Sequence, residues 1–298
     1  IASGKAGFLL SGGLASNVFG AYGATPLRPG RRNQFNTGFQ QTLGHYLQID
    51  ADYFWKFTDN AYDFDVLLNT PVYFPISWRK SKLDGVGVRL ATPNIHGVQA
   101  YTTLGHTRAR FFGPENGGLL FNSPVDASVF RIDHDQALQQ TTNLRYQHGH
   151  DGTWFNFTWR YASGLVAGDI SSVDDALALS PGQQAAIGFY CGGRQATIAN
   201  PITACDPATQ TYGAVRLRIP AEGTANADLN PPRMAPRHTF DIGIGHDNLF
   251  HGEKYKVTAR LTIVNVTNNV ALYNFLSTFS GTHFVTPRGY TGQIGFSF

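Results

Sequence analysis

The chain closes on Tyr290-Thr291-Gly292-Gln293-Ile294-Gly295-Phe296-Ser297-Phe298. Tyr290, Ile294, Phe296 and Phe298 alternate with Thr291, Gln293, Gly295 and Ser297, the two-residue period of a strand with one apolar and one polar face. A soluble domain more often ends in a poorly ordered polar tail. A last residue that is aromatic, and in phase with a strand, predicts that the terminus is built into a sheet.

The same period recurs upstream. In 45–57, Leu47, Ile49, Ala51, Tyr53, Trp55 and Phe57 oppose Gln48, Asp50, Asp52 and Lys56, with Phe54 as the one break. In 152–162, Phe155, Phe157, Trp159 and Tyr161 oppose Asn156, Thr158 and Arg160; in 238–245, Phe240, Ile242 and Ile244 oppose Thr239, Asp241 and Gly243. In 254–264, Val257, Ala259, Leu261 and Ile263 oppose Lys256, Thr258, Arg260 and Thr262. Less regular strands are predicted over 33–43, 80–91, 98–108 and 139–147, and with 286–298 the expected total is nine. Residues 1–30 lack sustained alternation and read as loop or partial strand, so 31–298 carries the sheet.

Several of these runs hold their phase for ten or more residues, about the length that crosses a bilayer when tilted, whereas soluble strands average five or six. The connections alternate without a slip: short near 44, long over 58–79, short over 92–97, long over 109–138, short over 148–153, very long over 163–237, short over 246–253, long over 265–285. In an up-and-down antiparallel sheet this places the short turns at one end and the long connections at the other, as in outer-membrane barrels. The expected fold is therefore all-β, an antiparallel up-and-down transmembrane β-barrel segment. Tyr53, Trp55, Phe57, Trp159 and Tyr161 gather towards strand ends, where an interfacial aromatic girdle belongs. Asp50, Asp52, Arg160, Asp241, Lys256 and Arg260 fall on the opposite, lumen-facing side. A slip of one residue would drive Arg160 or Arg260 into lipid at a cost of about 2–4 kcal/mol near the midplane. A soluble β-sandwich is the competing architecture.

Composition agrees. Only 14% of the 298 residues are charged, while Gly (33), Phe (22) and Tyr (13) are plentiful, a mixture suited to strands and turns. The formal charge of +3 is spread without a basic run, which gives nucleic-acid binding no electrostatic footprint. No run of 18 apolar residues is present, so a helical membrane span is excluded but a stranded one is not. The chain starts at Ile1 without an initiator Met or signal peptide and reads as a processed product or a fragment.

The two cysteines, Cys191 and Cys205, share one Gly/Pro/Asn/Ala-rich segment. A bridge between them would contribute about 3 kcal/mol by loop-closure entropy and imply an oxidising compartment; free thiols and a metal site are the alternatives. Asp133-His134-Asp135 could form an acid/base or metal cluster, or pair locally at a strand mouth. His148, His150, His246 and His251 fall in short turns, where solvated polar residues are ordinary. The glycines at 11–13 and 191–193 lack the strand-then-helix setting of a phosphate loop. Tyr62, Phe64, Tyr73, Phe74 and Trp78, in the first long connection, could form a ligand platform or pack that connection against itself. No cofactor and no enzymatic site is expected.

The final strand resembles the C-terminal assembly signal of bacterial outer-membrane proteins, carried by Tyr290, Ile294, Phe296 and Phe298, which implies recognition by the barrel-assembly machinery. Pro29-Gly30-Arg31-Arg32-Asn33-Gln34-Phe35-Asn36-Thr37-Gly38-Phe39 resembles a strand of TonB-dependent receptors, with Gly30 and Asn36 in place of that family's two acids. The stretches 81–88, 132–136 and Asn265-Val266-Thr267-Asn268 are similar to further segments of the same family in the same order. The resemblance implies the C-terminal portion of a 22-strand barrel set in outer-membrane lipid, working in energised uptake of a scarce ligand such as a siderophore, cobalamin or glycan. It further implies partnership with the TonB complex through a plug and Ton box that this sequence lacks. The odd strand count fits a portion better than a whole barrel, since complete bacterial barrels have even numbers. In that setting the lumen-facing charges pair with one another or with the plug, and secondarily line a substrate path. An autotransporter translocator would need a pore-threading helix, and residues 1–30 are poor helix material. An outer-membrane phospholipase would need a Ser/His pair on the lipid-facing rim, and none is evident.

Overall fold

The computed structural model describes residues 24–66, 73–119, 129–149, 152–168, 170–277 and 281–298. Nine strands form the main path of one antiparallel sheet in strict chain order: β1 (Arg31–Leu43), β2 (Leu47–Val66), β3 (Tyr73–Ala91), β4 (Val98–Leu119), β5 (Gln136–His148), β6 (Thr153–Ala162), β7 (Arg237–His246), β8 (Lys256–Val264) and β9 (Gly289–Ser297), and two-residue strands at Ala24–Thr25 and Phe130–Arg131 pair with β4 off that path. Each strand pairs with its chain neighbours alone along this path, and the outer edges of β1 and β9 are not joined to each other. The sheet is an open section of an up-and-down barrel.

Register makes the two faces continuous across strands. One row runs Leu144, Phe157, Ile242, Ile263 and Tyr290; the next runs Tyr146, Phe155, Ile244 and Leu261. Phe35, Trp55, Phe39 and Ala51 extend the same face across β1 and β2. Among the described residues nothing forms a second layer beneath this face: Phe39 is 62% exposed, Ile244 53% and Phe296 77%. Apolar surface of this extent on a soluble chain would forgo roughly 25 cal/mol for every Å² left in water, so the face fits a hydrocarbon solvent and not an aqueous one. The sandwich alternative requires a covering sheet over Leu261 and Ile244, and both are exposed.

The buried core lies elsewhere. Ile170, Val173, Ile187, Phe189, Ile202, Leu217, Met234, Leu272 and Phe275 form a cluster within the two connections 163–236 and 265–288. A second cluster, Ala61, Phe74, Ile76, Trp78 and Phe111, sits where β2, β3 and β4 outrun the belt. Both clusters belong to the end that carries the long connections.

Three expectations are corrected. The connections expected over 58–79 and 109–138 are largely strand, because β2, β3 and β4 continue as a ladder past the apolar belt; there both faces are in part packed and the alternation of residue types fades. Consequently Tyr62, Phe64, Tyr73, Phe74 and Trp78 lie on strands: Phe74 and Trp78 are buried, while Tyr62, Phe64 and Tyr73 are exposed. The segment 163–236, read only as a connection, holds two helices, α1 (Val173–Ala178) and α2 (Pro181–Ile187). Of residues 1–30, Ala24–Thr25 pairs with Leu119 and Gly118 of β4; Gly12, Gly13 and His150 lie outside the described residues.

Candidate functional site: the polar face and its mouth

The register places Asp50, Asp52, Arg160, Asp241, Lys256 and Arg260 on one face, opposite the apolar rows. Up to the level of Arg32, Thr58 and Ser81, that face carries eight cations (Arg32, Lys56, Arg89, Arg145, Arg160, Arg237, Lys256 and Arg260) against three carboxylates (Asp50, Asp52 and Asp241), an excess of five positive charges. Two carboxylates are spent on neighbours: Arg89 meets Asp50 at 3.6 Å, and Arg160 pairs with Asp241. Asp241 also accepts the backbone N–H of Asn265 at 2.9 Å, which ties the wall to the base of the last long connection.

Most of the remaining cations rest on aromatic rings. Lys56 lies over Phe54 at 5.2 Å, Arg237 over Tyr273 at 5.2 Å, and Arg89 also over Tyr101 at 5.5 Å. Arg145 and Arg260 both lie over Trp154, at 5.7 and 5.4 Å. A ring quadrupole attracts a cation without cancelling its charge, so this face stays electropositive.

Trp154 is the residue the alternation did not single out. It shares the face of Asn156 and Thr158, and its ring lies across the backbone of Gly245, where a Cβ would overlap it. Its Nε1 donates to Asp247 at 2.9 Å. Phe54, the break in β2, does the same over Gly85, where a Cβ would come within 2.7 Å of the ring. In each case an aromatic side chain covers a glycine on a facing strand, a device that pins register. The signal available in the sequence was an aromatic residue out of phase beside a strand glycine. Arg145, Trp154, Asn156, Thr158 and Arg260 line a cavity of about 500 Å³.

The mouth is fastened by a buried carboxylate. Asp135 is 1% exposed and holds Arg131 at 2.9 Å, Arg233, and the backbone N–H of Ala109 at 2.8 Å. Arg131 and Arg110 reach Asp228 at 3.4 and 3.5 Å. These contacts clamp the segment 163–236 to the start of β5 and the upper part of β4. The segment is internally braced as well. Ser180 and Gln183 form a reciprocal capping box at the start of α2, the buried Gln184 pairs with both backbone groups of Ile202 at 2.9 and 3.0 Å, and Cys191 is disulfide-bonded to Cys205. Asn265, with φ of 47°, uses its side chain to bind Asn269 and Thr286 and so closes the base of 265–288. Between this connection and the strand ends lies a cavity of about 820 Å³ lined by Gln139, Arg160, Arg237, Tyr273, Asn274 and Phe284 among others.

Asp133 and His134 pair at 2.7 Å, and Asp133 also accepts the Ser277 hydroxyl at 2.8 Å. The hydrogen bond from His134 holds the Asp133 carboxyl below its ordinary range, and the same bond raises the imidazole. Here the carboxylate bridges the hydroxyl and the imidazole; nucleophilic catalysis needs the imidazole between the other two. The arrangement is a tether between connections. Among the described residues no three His, Cys, Asp or Glu side chains gather as a metal site. His246 and His251 meet edge to face at 5.4 Å, and His148 sits against Tyr146.

On the apolar face, Tyr53 and Trp55 contact each other at 5.3 Å and Trp55 stacks on Phe35 at 5.6 Å. Phe57 follows in phase. Trp159 stacks with His238 and Phe240 at 5.9 and 6.5 Å, and Tyr161 leans on His238 at 4.9 Å. Above Tyr53 the face turns ionic: Arg108 grips Asp84, and Lys82 follows. At the far end Ile294 and Phe296 pair with Ala259 and Val257, and Phe298 follows.

No family model matches the sequence, and no curated protein matches it significantly. Solved structures do. The chain aligns with the FrpB iron transporter of Neisseria meningitidis, F5-1 variant, at 13% identity and a TM-score of 0.54, covering 90% of this chain and 32% of that one. It aligns with the F3-3 variant at 14% identity and a TM-score of 0.53, covering 90% and 31%, and with the outer membrane transporter YddB of Escherichia coli at 12% and 0.51, covering 90% and 32%. The chain thus spans about a third of the length of the structures it matches. With its nine strands in chain order, its open edges and its uncovered apolar face, it has the fold of a section of the β-barrel of these outer-membrane transporters.

Proposed function

We propose that the chain is part of the barrel wall of a TonB-dependent receptor in the outer membrane of a Gram-negative bacterium, acting in energised uptake and not in catalysis. The observation that carries the reading is the uncharged, mostly apolar face of the nine strands, left uncovered by the described residues, opposite a charged face, with the long connections at one end. Hydrocarbon is the solvent that such a face fits, and a closed barrel is the only sheet that satisfies its edges there. The short turns at 44–46, 92–97, 149–152 and 247–255 face the periplasm, and the braced segments 163–236 and 265–288 face the exterior. Oxidised Cys191–Cys205 suits that side. The aromatic rows at Tyr53, Trp55 and Phe57 and at Trp159 and Tyr161 sit at the outer interface. The strand ending on Phe298 presents Tyr290, Ile294 and Phe296 to the assembly machinery. FrpB is an iron transporter; a scarce chelate taken up by active transport is the corresponding activity here.

The test is uptake in the host cell. Deletion of the gene should abolish accumulation of one ferric chelate, cobalamin or glycan, and removal of TonB should reproduce the defect with the receptor still in the outer membrane. Uptake unchanged by loss of TonB would contradict energised import.

A further inference from the structure

We propose that Arg145 and Arg260 form an oxyanion subsite on the polar wall, held ready by Trp154, for a carboxylate or phosphate group inside the barrel. The proposal rests on reading this face as the lumen. Neither guanidinium pairs with a carboxylate among the described residues, although Arg89 and Arg160 on the same face both do. Both instead lie over one indole, from strands on opposite sides of β7. The indole is fixed at its edge by Asp247 and flat against Gly245. Two long side chains are thereby held against the same ring with part of their rotamer freedom already lost, which lowers the cost of closing on a ligand. A guanidinium presents a planar fork that matches carboxylate and phosphate. Asn156 and Thr158 in the same cavity add neutral hydrogen-bonding groups, its two carboxylates are already engaged, Asp241 by Arg160 and Asp247 by the indole N–H, and the excess of five positive charges on the surrounding wall raises the local concentration of anions.

The oxyanion can come from a dissolved solute or from another part of the same protein, and two measurements on the full-length, folded protein separate these sources. The first is calorimetric titration with citrate at low ionic strength. The second is thermal unfolding of the wild type and of an Arg145→Gln/Arg260→Gln variant, at low salt and at about 1 M salt, where the screening length falls to about 3 Å. If the group belongs to a solute, citrate binds the wild type and binds the variant about tenfold or more weakly, the loss expected for charge-assisted hydrogen bonds. If it belongs to the protein, citrate does not bind, and the variant melts lower at low salt with a difference that vanishes at high salt. Citrate binding undiminished in the variant overturns the proposal. So does absence of binding together with a melting difference that is nil or indifferent to salt. Should the glutamine variant fail to fold, Arg145→Lys/Arg260→Lys keeps the charges and removes only the forks: citrate binding about tenfold weaker, or a lower melting temperature without citrate binding, supports the proposal, and undiminished citrate binding, or no binding with an unchanged melting temperature, overturns it. Neither measurement involves transport, so a failure of uptake with citrate binding intact would count against the receptor reading alone.

Discussion

Arg108 donates through Nε and Nη2 to the two carboxylate oxygens of Asp84 at 3.0 and 3.1 Å, on the same face as Trp55 and just above Tyr53. The pair marks where the apolar face ends. Below it the rows are mostly apolar and aromatic and carry no Asp, Glu, Lys or Arg; at and above it they carry Lys82, Asp84, Arg108 and Arg110. An ion pair here faces headgroups and water, where its formation costs little desolvation, while one turn of the ladder lower it would face acyl chains. On the proposed reading, the bilayer's outer boundary is written into the sheet as a change of residue type at this level.

A cation introduced below that level should be costly only on one face. Ile242→Arg, in the row of Phe157 and Ile263, is expected to destabilise the folded protein in phospholipid vesicles by about 2–4 kcal/mol. Thr291→Arg, on the polar face and exposed, should change it by less than about 1 kcal/mol. Denaturant titration in vesicles measures both, and equal penalties would deny that the faces differ in solvent.

The buried carboxylate at the mouth should behave as a single clamp. Asp135→Asn removes the one carboxylate that Arg233 meets among the described residues and one of the two that Arg131 meets, and leaves the largely buried Arg233 guanidinium without a counter-charge, a change that costs up to about 3–5 kcal/mol. Because Arg233 belongs to the end of segment 163–236, limited proteolysis should cut that segment faster in the variant while the nine strands remain protected.

The disulfide acts on the same segment and not on the sheet. Replacing Cys191 and Cys205 together with Ser should lower the local stability of 163–236 by about 3 kcal/mol. Hydrogen exchange is the appropriate readout: faster exchange around α2 and Ile202, unchanged exchange in β6 and β7.

The tether of Asp133, His134 and Ser277 has a pH window. His134 is raised from 6.5, so its share of the stability is complete below 6.5 and is lost as pH rises through the raised value. Asp133 is lowered from 3.8, so its share is complete above 3.8 and is lost as pH falls through the lowered value. The tether is whole between 3.8 and 6.5 and weakens on both sides. Hydrogen exchange near Asp133 and Ser277 should slow within this window, and His134→Ala should flatten the alkaline limb.

The strands were legible because the apolar face meets one solvent along its whole length, which forces residue type to alternate. The readings over 152–162 and 254–264 correspond to β6 and β8 within two residues. Where the environment is mixed, the pattern gives out: β2 was traced to Phe57 but continues to Val66, because beyond the belt one face packs on Phe111 and Phe130 and the other is wet. The helices are only six and seven residues long, too short for a periodicity; their local signal is Ser180-Pro181-Gly182-Gln183, a capping box with proline at the first helical position. In the sequence Asp135 is one of a local trio, yet its partner Arg233 lies 98 residues away, and no local pattern joins them. Trp154 was passed over because an aromatic residue on the polar face contradicts the alternation; its reason is Gly245, on the neighbouring strand.

The central claim, that the alternating rows of this sheet have lipid on one side and a polar lumen on the other, is tested most directly by a spin-label scan along β7, from Thr239 to Gly245, in vesicles. Labels at Phe240, Ile242 and Ile244 should collide with oxygen dissolved in the bilayer. Labels at Thr239, Asp241, Gly243 and Gly245 should collide with a water-soluble nickel chelate, or be shielded from both. A two-residue period of this phase is the predicted result; uniform access of the chelate to Phe240, Ile242 and Ile244 would contradict the account.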